Sequence, residues 1–342
     1  MLSPSLVGGI VLREYDLPGA IVFAAVYGLL VPALVYRYVD GRSRVTIVIQ
    51  TLCYALERVV LFSLRAAIAA GRIKEAPGLS EYQQATFALG YLHLANVATK
   101  LTRCILVNST KGPEDAPQSS CEQPPLIWSS SGSLWKAPAA APDLPAVDDP
   151  QSRHWFRRWS ECMTILYLAA LFTAIFATAL LFTSNASSTN RWIQCLQYFS
   201  AATGLVLVLS ITIMLGWARR NVQRIDQRAT RFVLIATVLL MLPPIYRLIV
   251  MRTTTADISD RNAESQNVLA DKVTFYIVHI LPEWLVVAMT CVFNVRQLCQ
   301  TGIKGDTRRH DETPTERAKR ERREQERSTK KAKASFEMKT AS

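Results

Sequence analysis

The twenty residues MTILYLAALFTAIFATALLF, 163–182, contain no charge, no proline and no glycine. A helix of about 20 such residues spans the ~30 Å hydrocarbon core of a bilayer, whereas a helix in a water-soluble core keeps a polar face. The block is not alone. Apolar stretches of similar length recur at about 18–38, 45–69, 83–107, 162–183, 195–217, 231–251 and 273–297, and the fifth contains LVLVLSITIMLGW. Hydrophobic residues make up 50% of the chain and charged residues 19%, against roughly a quarter charged in ordinary soluble domains. A soluble protein with seven buried helices does not account for this clustering. The blocks predict an all-α membrane protein, a seven-transmembrane helix bundle within 18–303. A short terminus, 1–17, precedes it and a charged tail, 304–342, follows it.

Lys and Arg near the block ends are divided unequally between the two sets of loops, eighteen against seven. Cytosolic loops carry the excess, which predicts an extracellular N-terminus and a cytosolic C-terminus. The sequon at Asn185 then falls in a short outer loop, where it is a candidate glycosylation site. A second, at Asn108, falls on the cytosolic side. MLSPSLVGGIVLREYD lacks a charged start and a small-residue cleavage site, so the first span is expected to act as an uncleaved targeting element. The net charge of +12 is mainly this loop bias plus the basic tail, and it points to no nucleic acid. The expected location is a multi-pass position in a membrane, the plasma membrane first.

The inner loop between the third and fourth blocks, 108–152, holds eight of the sixteen prolines and the tract SSSGSLWKAPAAAPDLPAVDDP, a composition expected to be disordered. RHWFRRW, 153–159, suits the headgroup layer, and RRNVQRIDQRATR, 219–231, reads as a basic inner loop. Segments 108–160 and 218–230, with the tail, are candidate docking elements for a cytosolic partner. The tail, ERAKRERREQERSTKKAKAS, has Glu and Arg at helical spacing and an excess of cations suited to anionic lipid. Among seven scattered cysteines no CxxC pair occurs, and Cys299 beside basic residues is a candidate for palmitoylation.

Ionisable residues inside the blocks cost roughly 2.5–3.5 kcal/mol each on insertion scales, so they face protein or water. Glu57, Arg58 and Arg65 lie in the second block, His93 in the third, Arg247 in the sixth, and His279 and Glu283 in the seventh. With the orientation above, these fall at overlapping depths. His279 and Glu283 are four apart, on one helix face. A shared polar interior follows, with Glu57 or Glu283 neutralising an arginine and the remaining positive charge suited to an anionic headgroup or carboxylate. The alternative is that the charges only fix the bundle, with Arg65 and Arg247 reaching to the outer surface. Pro243-Pro244 and Pro282 are expected to kink the sixth and seventh spans beside these groups, as hinges or cavity walls.

Several chemistries are set aside. No lysine lies between Val273 and Arg296 for a retinal Schiff base, and His93 and His279 are too few for a zinc hydrolase. No nucleotide motif or Ser-His-Asp pattern occurs, so no enzyme activity, metal or cofactor is expected.

LLMLPPIYRLIVMRT followed by FYIVHILPEWLVVAMTCVFNVRQL resembles the end of the fungal RTA-like proteins, the lipid-translocating exporter family. The resemblance rests on Tyr246-Arg247 and Glu283-Trp284, and on YALERVVLFSLRAA with Glu57 and Arg65. It implies a seven-span membrane protein that exports lipid or small molecules. Receptor-like sensing through a small or lipidic ligand is the first functional reading, with transport and a purely structural scaffold as alternatives.

Overall fold

A computed structural model describes residues 6–41, 43–74, 76–111, 148–183, 187–222, 224–252 and 266–301, short stretches at 3–4 and 254–255, and scattered tail positions. The region 112–147, the sequon at Asn185 and most of the tail lie outside the described residues. The chain divides into a unit 1–306 and a separate tail unit, 307–342, whose described positions between Thr315 and Thr329 are helical.

Among the described residues of the first unit, regular structure is helical apart from one two-residue antiparallel ladder, β1 (Ser3–Pro4) on β2 (Thr254–Thr255). The helices are α1 (Arg13–Val39), α2 (Thr46–Ala69), α3 (Pro77–Ser109), α4 (Pro150–Thr183), α5 (Ser187–Asn221), α6 (Gln227–Leu240) and α7 (Leu242–Val250). After β2 come α8 (Leu269–Thr274), a π-helical segment (Phe275–Ile280), α9 (Leu281–Val292) and α10 (Val295–Leu298). Among the described residues, six helical stretches are long and apolar enough to cross a membrane: α1, α2, α4, α5, α6 with α7, and α8 through α9.

The distribution of polarity is the reverse of a soluble protein's. Leu29, Ile165, Phe172 and Ile213 are exposed by 64–76%. Arg58, Arg65, Asp16 and Glu283 are wholly buried. Apolar side chains on this scale remain outside only where the surroundings are lipid, and charges gather inside for the same reason. The chain is therefore an integral membrane protein.

α3 is as long as its neighbours but less apolar. It packs against α2, α4, α5, α6 and α9, and most of its side chains are buried. Enclosed on so many sides, it can carry Gln83, Gln84, Thr86, Thr99 and Thr102, all buried, without presenting them to lipid.

Two interruptions lie where proline falls. The sixth block is split at Met241, because Pro243 and Pro244 have no N–H to return to the carbonyls of Leu239 and Leu240. In the last block the six residues before Leu281 form π-helix, and Leu281 N–H bonds Tyr276 O, five residues back. Pro282, just beyond, cannot donate to Val278 O, and the wider turn absorbs the mismatch.

The seventh block was expected to run to 297, but the helix ends at Val292. Phe293 is extended, and the Asn294 side chain accepts from Gln297 N–H to start a new short turn. Arg37 covers the freed end, donating to Cys291 O at 3.2 Å and Val292 O at 2.9 Å. Asp226 starts α6, accepting from the N–H groups of Arg228 and Ala229.

Candidate functional site: a two-level polar interior

Arg58 sits midway along α2 and has no solvent access. Its Nη2 lies 2.7 Å from Glu283 Oε2 of α9, and its Nε donates to the Tyr54 hydroxyl at 2.7 Å. Tyr54, one helical turn before Arg58, in turn donates to the same Glu283 oxygen at 2.6 Å. Two elements far apart in sequence are thus joined by a charged pair and a bridging phenol. In a lipid-surrounded interior such a pair is held only because both charges are matched and hydrogen-bonded.

The guanidinium crosses the face of α3 at Gly90. A β-carbon there would meet Arg58 Nη2 head-on and lie 3.0 Å from Glu283 Oε1. Gly90 is therefore part of the site, since its missing side chain gives the ion pair room to cross between helices. Phe87, one turn earlier, stands between the two buried arginines, with Arg58 5.9 Å and Arg65 5.7 Å from its ring centre.

A second level lies one to two helical turns along α2. Arg65 donates to Asp16 Oδ1 at 2.7 Å, to Gly8 O at 2.8 Å and to Gln83 Oε1 at 3.1 Å. Lys272 of α8 lies 2.8 Å from Asp16 Oδ2 and donates to Gly8 O and Ile10 O. One carboxylate thus serves two buried cations, and backbone carbonyls of the N-terminal segment supply the remaining acceptors. That segment is stitched down further. Gln84 exchanges two hydrogen bonds with Val7, and Asn267 accepts from Ile10 N–H at 3.1 Å. Gly9 has φ of +60°, and a β-carbon there would run into Gln266 O and Asn267.

The remaining sequence candidates are placed as follows. Arg247 is buried, and its Nη1 has no hydrogen-bond partner among the described residues; Tyr91, Glu283 and Tyr246 face it. His279 is fully buried among Phe87, Tyr246 and Phe275, and neither ring nitrogen has a well-formed bond, the nearest acceptors being the carbonyls of Phe87 and Pro243. Glu283 Oε1, Arg58 Nη1 and Trp284 Nε1 are likewise buried and unpartnered among the described residues. Pro243, Pro244 and Pro282 are buried near them.

Glu57 and His93 sit at the margin of this interior, with the charge of Glu57 still acting on Arg58 and Glu283. Glu57 is half-exposed and accepts from the Tyr82 hydroxyl at 3.3 Å. His93 is half-buried, stacked 6.0 Å from the Tyr54 ring, with Nε2 3.3 Å from Gln50 O. Arg65 does not reach to the surface as the alternative reading had it, because Asp16 holds it inside. Cys299 is 2% exposed, and its burial, together with the nearby Cys104 and the negative Asp226, pushes the thiol above its ordinary value. Acylation there requires the α10 turn to open first.

Asp16, Lys272, Tyr54, Tyr91 and Gly90 were not singled out from the sequence. Asp16 lies two residues before the first apolar block as drawn, in the stretch read as a terminus, and Lys272 one residue before the last. A helix extended by one turn at each of those ends would have brought both inside. No family model, curated protein or solved structure matches the chain.

Proposed function

We propose that the chain is a seven-span receptor-like membrane protein whose inner polar level binds a small or lipidic ligand. The observation that carries the reading is the set of buried polar atoms without partners around Arg247, His279 and Glu283. Buried polar groups are nearly always satisfied, and those that are not commonly mark a place for water, ion or ligand. Two irregular helical stretches, the break at Met241 and the π-helical segment, flank the same groups and are the natural points for a ligand to bias. Seven spans follow if α3, enclosed by its neighbours, crosses with the other six. Seven crossings put the chain ends on opposite sides, and the Lys/Arg bias favours the tail in the cytosol. A C-terminal epitope is then stained in intact cells only after permeabilisation; staining without it contradicts this orientation.

The functional test is native mass spectrometry of the full chain released from mild detergent. A bound lipid or small molecule is expected, and its loss in Glu283→Gln is expected with it. Adding that molecule back should change hydrogen exchange in 218–230, the basic inner loop. A chain that carries nothing, or a ligand unaffected by Glu283→Gln, contradicts the reading.

A second reading, export of lipid or small molecules as in the RTA-like family, is favoured by one observation. Arg247 and Glu283, two of the residues behind that resemblance, face each other across the interior. Transfer of a labelled lipid between leaflets of proteoliposomes, with unchanged exchange in 218–230, selects it over the receptor.

A further inference from the structure

Four cations are buried deep in the bundle beside the two carboxylates, and they are not treated alike. Arg65 and Lys272 share Asp16 and are surrounded by carbonyl oxygens. Arg58 has Glu283 and the Tyr54 hydroxyl. Arg247 has no ion pair among the described residues, although it is 5% exposed and in a span, with Tyr91 and Tyr246 beside it. The carboxylate nearest to it, Glu283, is already committed through Oε2 to Arg58 and Tyr54. Glu57 lies toward Tyr82 and is not among the groups that face Arg247. An arginine cannot shed its proton to escape this position, so its charge must be met from elsewhere.

We infer that Arg247 is the anchor of an anion site, taking one carboxylate or phosphate group between α3, α7 and the π-helical segment. The donors for such a group are already in place: Arg247 Nη1, a ring N–H of His279 and the Tyr91 hydroxyl, each buried without a well-formed hydrogen bond among the described residues. Ser200 lies near the Tyr91 hydroxyl, and the carbonyls of Phe87 and Pro243 lie near the His279 ring. A planar guanidinium suits a carboxylate or phosphate face with two parallel bonds, and the site would supply charge-assisted contacts on one side only. Glu283 does not repel the anion as a free carboxylate would, because Arg58 neutralises it. The inference deepens, and rests on, the reading of this interior as a ligand site.

The test uses the purified full chain in a neutral detergent and follows its melting temperature. The probes are sodium phosphate and sodium acetate at constant ionic strength, and short-chain phosphatidylglycerol, with phosphatidylcholine as the zwitterionic control. Variants are Arg247→Met and, as a surface control, Arg72→Met, whose side chain is exposed at the end of α2. At least one anionic probe is expected to raise the melting temperature of the wild type and of Arg72→Met in a saturable way. In Arg247→Met the half-saturating concentration should rise roughly tenfold or more, or the effect vanish. Without any probe, Arg247→Met should melt no lower than the wild type, since the change removes an unmatched charge.

A response to phosphate or acetate identifies a free anion as sufficient, and a response confined to phosphatidylglycerol identifies a lipid headgroup. The inference is overturned if no anionic probe stabilises the wild type, if Arg247→Met responds as the wild type does, or if Arg247→Met melts lower in the absence of probe. A neutral or cationic molecule found in the interior by mass spectrometry would overturn the anion site while leaving the ligand site standing.

Discussion

Asp16→Asn is expected to lower the melting temperature of the purified protein by on the order of 10 °C, the larger of the effects expected from single substitutions in this interior. The side chain keeps its size and one acceptor oxygen, so packing is nearly unchanged. What is lost is the single negative charge between Arg65 and Lys272, which lie 2.7 and 2.8 Å from its two oxygens. Removing one partner of a buried ion pair typically costs about 3–5 kcal/mol, and here one substitution leaves two cations uncompensated. The N-terminal segment should loosen with it, because Arg65 and Lys272 both hold Gly8 O and depend on Asp16 for their own position. Hydrogen exchange at Val7 and Ile10 should accelerate together with the drop in melting temperature. An unchanged melting temperature would mean that the two cations are solvated without Asp16, contrary to their burial.

Glu283→Gln is expected to destabilise by about 3–5 kcal/mol for the same reason at the inner level, with Arg58 left as the buried charge. The amide can still accept from Tyr54 and Arg58, so a small effect would show that hydrogen bonding rather than charge carries the pair. The substitution should also expose how closely α3 fits the site, since the Arg58 guanidinium lies directly over Gly90. A guanidinium released from Glu283 has little room to turn there, so relief by side-chain rotation is limited.

The membrane architecture was legible because apolar length is a strong, local signal: MTILYLAALFTAIFATALLF can hardly be read another way. The charged interior was legible in part for a related reason. Arg58, Arg65, Arg247, His279 and Glu283 interrupt apolar runs, and such residues must turn inward. Their pairing was not legible. Arg65 takes Asp16 rather than a carboxylate within a predicted span, because α1 begins at Arg13, ahead of the apolar block drawn from 18. A carboxylate near a helix end looks like any solvated terminus until the chain before it folds back over it. Glu57, adjacent to Arg58 in sequence, is 100° around the helix and turns to Tyr82 instead. Gly90 carried no signal at all, since its role is to leave space for a side chain from another helix. The π-helical segment was foreshadowed only by Pro282, which predicted a disturbance but not its form.

These features join into one physical picture. Lipid forces the charges inward, and the charges fix which helices meet and where. The irregular turns at Met241 and Phe275–Ile280 flank Arg247 and His279, whose buried Nη1 and ring nitrogens lack hydrogen-bond partners among the described residues. The pair that holds the inner level together is Arg58 with Glu283. Its most direct test is a double-mutant cycle on the purified protein, combining Arg58→Met and Glu283→Leu and following reversible unfolding or melting. Each single change should be strongly destabilising, and the double variant should recover most of that loss, with a coupling of about 2 kcal/mol or more. Losses that simply add, to within ~0.5 kcal/mol, would contradict a buried Arg58–Glu283 pair at the centre of this membrane protein.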